Sequence, residues 1–157
     1  MRREWLQALS RMTYGIYVLT AAQEGEYNGM IASWVSQVSF EPPLILAAVH
    51  PNRYTHSLMD QSGAFALHAL HKEQRGHLDR FKGDEPQAKF HGLSWSRGET
   101  GSPVLDDCLA SYECRVRHSL QPGNHTLFIG EIVAARLGKD GEPLTILDYQ
   151  GTYLGCD

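Results

Sequence analysis

The sequence predicts a mainly β protein: a small antiparallel barrel, closed or partly split, with a few short helices at its edge. Three observations carry this. Six or seven segments have strand character, with turn chemistry between them. Residues 109–120, LASYECRVRHSL, alternate. Ala110, Tyr112, Cys114 and Val116 share one face, and Ser111, Glu113, Arg115 and Arg117 the other, as in a half-buried antiparallel strand. A QPGN turn then leads into a returning strand, HTLFIGEIVAARL, with Gly130 a candidate bulge.

The other elements follow in order. Trp5, Leu6, Leu9 and Met12 are spaced for a short amphipathic helix packed on the body. YGIYVLTAA (14–22) is β-branched and aromatic, a strand. QEGEYNG reads as turn, with Asn28-Gly29 as a turn pair, and MIASWVSQVSF as an extended segment ending at Pro42-Pro43, a corner. LILAAVH (44–50) is a short apolar run that fits a strand buried on both faces. PNRYTHSLMDQSG predicts a turn into a helix ending at Gly63, capped by Asn52 or Thr55. AFALHAL is a strand, and KEQRGHLDRFKG is weakly helical. Residues 83–103 form a long polar loop of the kind that often lines sites. LTILDY reads as a final strand. No repeat or linker interrupts the chain, so residues 1–157 read as one domain.

Bulk properties narrow the function. At 157 residues the chain can bury a sizeable core, and its 42% hydrophobic and 20% charged residues are ordinary for a globular protein. A net charge of −4 with scattered basic residues argues against a nucleic-acid surface. No apolar run approaches the ~20 residues that span a bilayer, and the N-terminus lacks a signal peptide's apolar block, so no membrane role is expected. Three cysteines, Cys108, Cys114 and Cys156, have no metal-site spacing and read as free thiols in a reducing, cytoplasmic setting.

No nucleophile elbow, P-loop or dinucleotide fingerprint is present. His68 and His71 suggest a metal, but they are three apart along a strand and its exit, and no carboxylate or thiol completes a set; surface or partly buried imidazoles are the simpler reading. His125 follows a Gly-Asn turn at a strand start, where a side chain can enter a site mouth. NRYTHS (52–57) is the best anion candidate, with a helix N-terminus, Arg53 and the hydroxyls of Thr55 and Ser57. Residues 28–39, NGMIASWVSQVS, supply an indole and spaced hydroxyls. A ligand with a planar aromatic head, a polyol and a phosphate would use both segments, and FMN has that shape.

In the order and spacing of these pieces the chain resembles the flavin reductase-like, FMN-binding split barrels. The matching stretches include YGIYVLTA, NGMIASWVSQVSFEPPLILAAV, NRYTHSLM, GAFALHAL, KFHGL, PVLDDCLASYECRV, GNHTLFIGEIV and GTYLG. The resemblance implies a Greek-key split barrel, a homodimer with FMN (FAD as the variant) near the subunit interface, and NAD(P)H as a transient electron donor. It implies flavin-binding roles for Asn28, Met30, Ser33, Trp34, Ser39, Arg53, Thr55, Lys89 and Tyr153, and a catalytic role for His125 in placing the nicotinamide. The implied activity is NAD(P)H:flavin reductase, with a protein among the electron acceptors open to it; the alternative is a flavoredoxin-like electron-transfer module reduced by a partner protein, without a nicotinamide site. A storage flavoprotein and a pyridoxamine-phosphate-oxidase-like barrel are more distant alternatives. Where the family often has Gly-Asp-His, this chain has Gly123-Asn124-His125. That removes a charge beside the imidazole and leaves its protonation state open.

Overall fold

The computed structural model describes residues 2–149. Three short helices, α1 (Arg3–Leu9), α2 (Tyr54–Ser62) and α3 (His77–Lys82), accompany nine strands. These are β1 (Tyr17–Gln23), β2 (Glu26–Ala32), β3 (Val35–Phe40), β4 (Pro43–Val49), β5 (Ala64–Ala69), β6 (Trp95–Arg97), β7 (Pro103–Leu105), β8 (Ala110–Leu120) and β9 (Thr126–Leu137). Seven form one sheet in the order β2-β1-β5-β8-β9-β4-β3, and β6 pairs with β7. Every pairing is antiparallel.

The sheet has to curl. β2 and β3 stand at its opposite edges, yet only Ser33 and Trp34 join them. Seven strands laid flat would put the edges roughly 30 Å apart. A two-residue link bridges on the order of 10 Å between its flanking Cα atoms. The edges therefore come together without pairing, which is the split barrel.

Two apolar clusters fill the two faces. Leu19, Ala21, Ala32, Ile45, Ala47, Val49, Phe65, Leu67, Cys114 and Phe128 pack inside the curl, joined by Leu58 and Met59 of α2. Ile16, Val18, Ile31, Leu70, Leu78, Phe81, Phe90, Leu105 and Leu144 make the second cluster, which tucks α3 against the outer face of β1 and β2. β1 thus alternates between two cores.

Several expectations need correction. Asn28 and Gly29 are not a turn: they pair with Ala21 and Thr20 inside β2. The hairpin turn is Glu24-Gly25, both at positive φ (51° and 92°), the conformation that two-residue hairpin loops favour. The extended segment breaks at Ser33-Trp34. LILAAVH buries only one face fully, through Ile45, Ala47 and Val49. Residues 144–149 are not a strand; they carry an isolated bridge at Thr145 and a 3₁₀ turn over Ile146–Asp148.

In β8, Ser111 and Glu113 are buried rather than solvated, and the 98–102 loop packs on Glu113. Thr100 donates to the Glu113 carboxylate through its N–H (2.8 Å) and its hydroxyl (2.9 Å). Gly130 is not the bulge; the extra residues in the β8–β9 ladder are Arg117 and Val133. Gly130 instead makes room for the Phe65 ring, which a Cβ would meet at 2.6 Å. Trp5 and Leu9 of α1, and Met12 just beyond its end, stay about half exposed, so the helix forms without burying its apolar side.

His68 is fully buried. Its Nδ1 lies 3.0 Å from the Val18 carbonyl, and its Nε2 accepts the Leu105 N–H at 3.1 Å. Both ring nitrogens are satisfied with the proton on Nδ1. Burial lowers its pKa to about 4. Among the described residues, no group of three or more His, Cys, Asp or Glu is arranged to hold a metal, and no helix is long and apolar enough to cross a membrane.

Candidate functional site

A cavity of about 420 Å³ opens where the β2–β3 link, the end of β4, the start of α2 and the segment after α3 converge. That volume lies in the range of small-ligand clefts, roughly 300–1,000 Å³. Asn28, Met30, Ser33, Trp34, Arg53, Thr55, Lys89 and His125 all line it. Ser39 does not. The ladder carries an extra residue at Val38, so strand alternation does not run unbroken from Ser33 to Ser39, which pairs instead with Leu44. Tyr153 lies outside the described residues.

One wall is a buried polar chain. Lys89 donates to Asn28 Oδ1 and to the Gly29 carbonyl, each at 3.0 Å. Asn28 Nδ2 donates to Thr55 Oγ1 at 3.0 Å. This links the 3₁₀ turn Gln87–Phe90, β2 and α2. Phe90 anchors that turn by packing on Tyr27, Phe81 and Trp95, which holds its neighbour Lys89 in the wall. Burial lowers the Lys89 pKa, Asp84 opposes this, and Arg53 adds to it. Two of the ammonium's three protons are committed, and the third is available. Gly29 permits the close packing here, since a Cβ would meet the Phe81 ring at 2.6 Å.

Ser33 Oγ is buried without a hydrogen-bond partner among the described residues. A buried hydroxyl left unpaired is costly, so one belonging to a cavity-lining residue invites a ligand. Arg53 is the N-cap of α2, its side chain exposed and its guanidinium unpaired among the described residues. The first N–H groups of that helix have no intrahelical acceptor and favour an anion. Thr55 is not the cap; it is buried within the first turn.

The opposite rim is aromatic. The His125 ring sits 4.7 Å from Trp34 and 5.2 Å from His50, centroid to centroid. Burial, then His50, then Arg53, push the His125 pKa below its usual value, so the ring is neutral at pH 7. Asn124 Oδ1 lies 2.9 Å from His125 Nδ1, so a neutral amide fixes the tautomer without an aspartate's charge.

His50, Lys82, Asp84 and Tyr149 also line the cavity, and sequence reasoning did not single them out. Lys82 Nζ donates to the Tyr149 hydroxyl at 2.7 Å and lies 4.8 Å from the ring centre. The available signal for His50 was its place two residues before the NRYTHS segment. Asp84 lies inside the long loop already expected to line a site, and Lys82 directly precedes it.

Comparison with known proteins gives the family. The flavin reductase like domain matches residues 9–156. This chain belongs to that family. It is 35% identical over 149 residues to the ferric-chelate reductase (NAD(P)H) of Archaeoglobus fulgidus, covering 92% of this chain and 88% of that protein. It is 30% identical over 135 residues to the FMN reductase (NADH) RutF of Stutzerimonas stutzeri, covering 85% and 78%. Against the high molecular weight rubredoxin of Moorella thermoacetica it is 31% identical over 147 residues, but spans only 64% of that protein's length. Among solved structures, the Streptomyces globisporus NADH:FAD oxidoreductase SgcE6, in complex with NAD and FAD fragments, superposes with a TM-score of 0.81 at 26% identity, covering 90% of this chain and 86% of that one. The mainly antiparallel sheet with few helices matches the flavin reductase split barrels.

Proposed function

We propose that this chain binds FMN in the cavity and acts as an NAD(P)H-dependent flavin reductase. The observation that carries the reading is the buried hydroxyl of Ser33, without a partner among the described residues, in a cavity lining that also holds the buried Lys89. Bound flavin supplies an acceptor for hydride and a donor of one or two electrons to whatever follows.

The residues fit that group. Arg53 and the first N–H groups of α2 suit a phosphate. Asn28, Ser33 and Thr55 offer polar contacts for a ribityl chain, and Met30 and Trp34 offer surface for a planar ring. Lys89 keeps positive charge where a ring edge gains electron density. His125, neutral and held by Asn124, borders the side left for the nicotinamide. Ser39 drops out of the proposed set, and Tyr153 stays in it on the resemblance. The functional unit is a homodimer; the exposed Trp5, Leu9, Met12 and Phe40 supply apolar surface for it.

An anaerobic titration tests the reading. The purified protein should take up FMN, turn yellow, and bleach on adding NADH or NADPH. A yellow protein that ignores both nucleotides would instead be a carrier reduced by a partner protein. A protein that stays colourless with excess FMN would end the flavin reading.

A further inference from the structure

His50 and His125 meet edge to face on the cavity wall, with their ring planes at 87°. Their hydrogen bonds select opposite tautomers. The Asn52 backbone N–H donates to His50 Nδ1 at 3.2 Å. A nitrogen that accepts carries no proton, so the neutral His50 ring holds its proton on Nε2. His125 is the reverse. Its Nδ1 faces the Asn124 carbonyl oxygen, which only accepts, so Nδ1 carries the proton and Nε2 keeps a lone pair. Two neighbouring rings on one cavity therefore present one donor and one acceptor. Trp34, packed on His125, restrains that ring.

A primary carboxamide carries the complementary pair in one plane: a carbonyl that accepts and an N–H that donates. We propose that His50 and His125 together read the carboxamide of the nicotinamide ring, His50 Nε2–H donating to its carbonyl oxygen and His125 Nε2 accepting from its N–H. This rests on the reductase reading above and gives His50 a substrate-positioning role. A carboxylate in the same place would satisfy His50 but set its lone pairs against those of His125, and a site left with an unpaired polar group discriminates strongly.

Protonating His125 reverses the preference, because both rings then donate. The titratable or charged groups facing His125 are His50, at the end of β4, and Arg53, at the cap of α2; Trp34 and Asn124 are neutral. Tyr54, Lys82, Asp84, Lys89 and Tyr149 complete the titratable lining. Both facing groups disfavour a charged His125, so the acceptor form holds at neutral pH and the reversal falls below pH 6.5.

Two measurements test this on the FMN-loaded protein. Long-range ¹H–¹⁵N spectra of histidine-labelled protein should show His50 protonated at Nε2 and His125 at Nδ1; any other tautomer pair overturns the proposal without recourse to a variant. Calorimetric titration then compares NAD⁺ with its nicotinic acid analogue. At pH 8 the wild type should prefer NAD⁺ by about tenfold. His125→Phe should erase that preference. His50→Phe should weaken both dinucleotides roughly five- to tenfold, and His50→Gln, which restores an N–H donor, should recover part of the loss. As pH is lowered stepwise below 6.5, the wild-type preference should shrink once His125 takes up its proton. A His125→Phe variant that keeps the wild-type ratio, or a His50→Phe variant that binds NAD⁺ as tightly as wild type, overturns the inference while leaving the reductase reading intact. Failure of NADH to bleach the wild-type flavin removes both.

Discussion

Arg53 is the simplest residue to remove, because its guanidinium makes no hydrogen bond or ion pair among the described residues. Arg53→Ala should leave the melting temperature nearly unchanged and weaken FMN binding by roughly 1–3 kcal/mol. Flavin fluorescence quenching would measure this, and unaltered affinity would exclude Arg53 from the phosphate. Lys89 is the opposite case, since its loss would also leave Asn28 Oδ1 and the Gly29 carbonyl buried and unpaired. His68 gives a pH prediction. Its folded-state pKa is lowered to about 4, against 6.5 for the unfolded chain. Above pH 6.5 neither state binds the proton; between 6.5 and about 4 only the unfolded chain does. Stability should therefore fall as pH falls through that window, by roughly 3 kcal/mol in total. Urea unfolding at several pH values would show it, and His68→Gln should give a flatter profile. An equal slope in both proteins would remove His68 from the acid response.

At the scale of elements, β2 is the most tightly constrained. Gly29→Ala would drive a methyl into the Phe81 ring, which has the Phe90 ring against it, and should cost about 1–3 kcal/mol. Thermal unfolding with and without FMN checks this, and a wild-type melting temperature would show that Phe81 can yield. The elements also show where sequence reasoning succeeds. The β8–β9 hairpin and the helix ending at the left-handed Gly63 were readable because alternation, turn residues and a glycine stop are local signals. The β1–β2 turn was misplaced because Glu24-Gly25 and Asn28-Gly29 carry similar turn chemistry. What separates them is that Asn28 is needed in mid-strand, against a lysine far along the chain. Ser39 was expected at the cavity but lies off its lining, and the ladder irregularity at Val38 leaves no mark in composition. His50 was missed because its value comes from a ring brought to it by another strand. Most of the site was legible through the resemblance, which carries long-range information that spacing alone does not.

For the whole molecule, the exposed apolar residues make assembly a direct question. Phe40 is 89% exposed, and Trp5 55%. Light scattering on the purified protein should return twice the 17.6 kDa chain mass, and Phe40→Ser with Trp5→Ser should move the population toward that of one chain. A wild type that stays at one chain mass across micromolar concentrations would end the dimer proposal. The curled sheet carries a different consequence. Surface loops usually tolerate added or deleted residues, because loop length changes closure entropy slowly. The Ser33–Trp34 link has no such freedom. It sets the gap between two sheet edges, and its carbonyl at Trp34 is tied to the Ala48 N–H at 2.9 Å. One residue more or fewer would re-space both edges and the cavity between them together. This dipeptide works as a spacer of fixed length, and the width of the ligand cleft is written in its residue count.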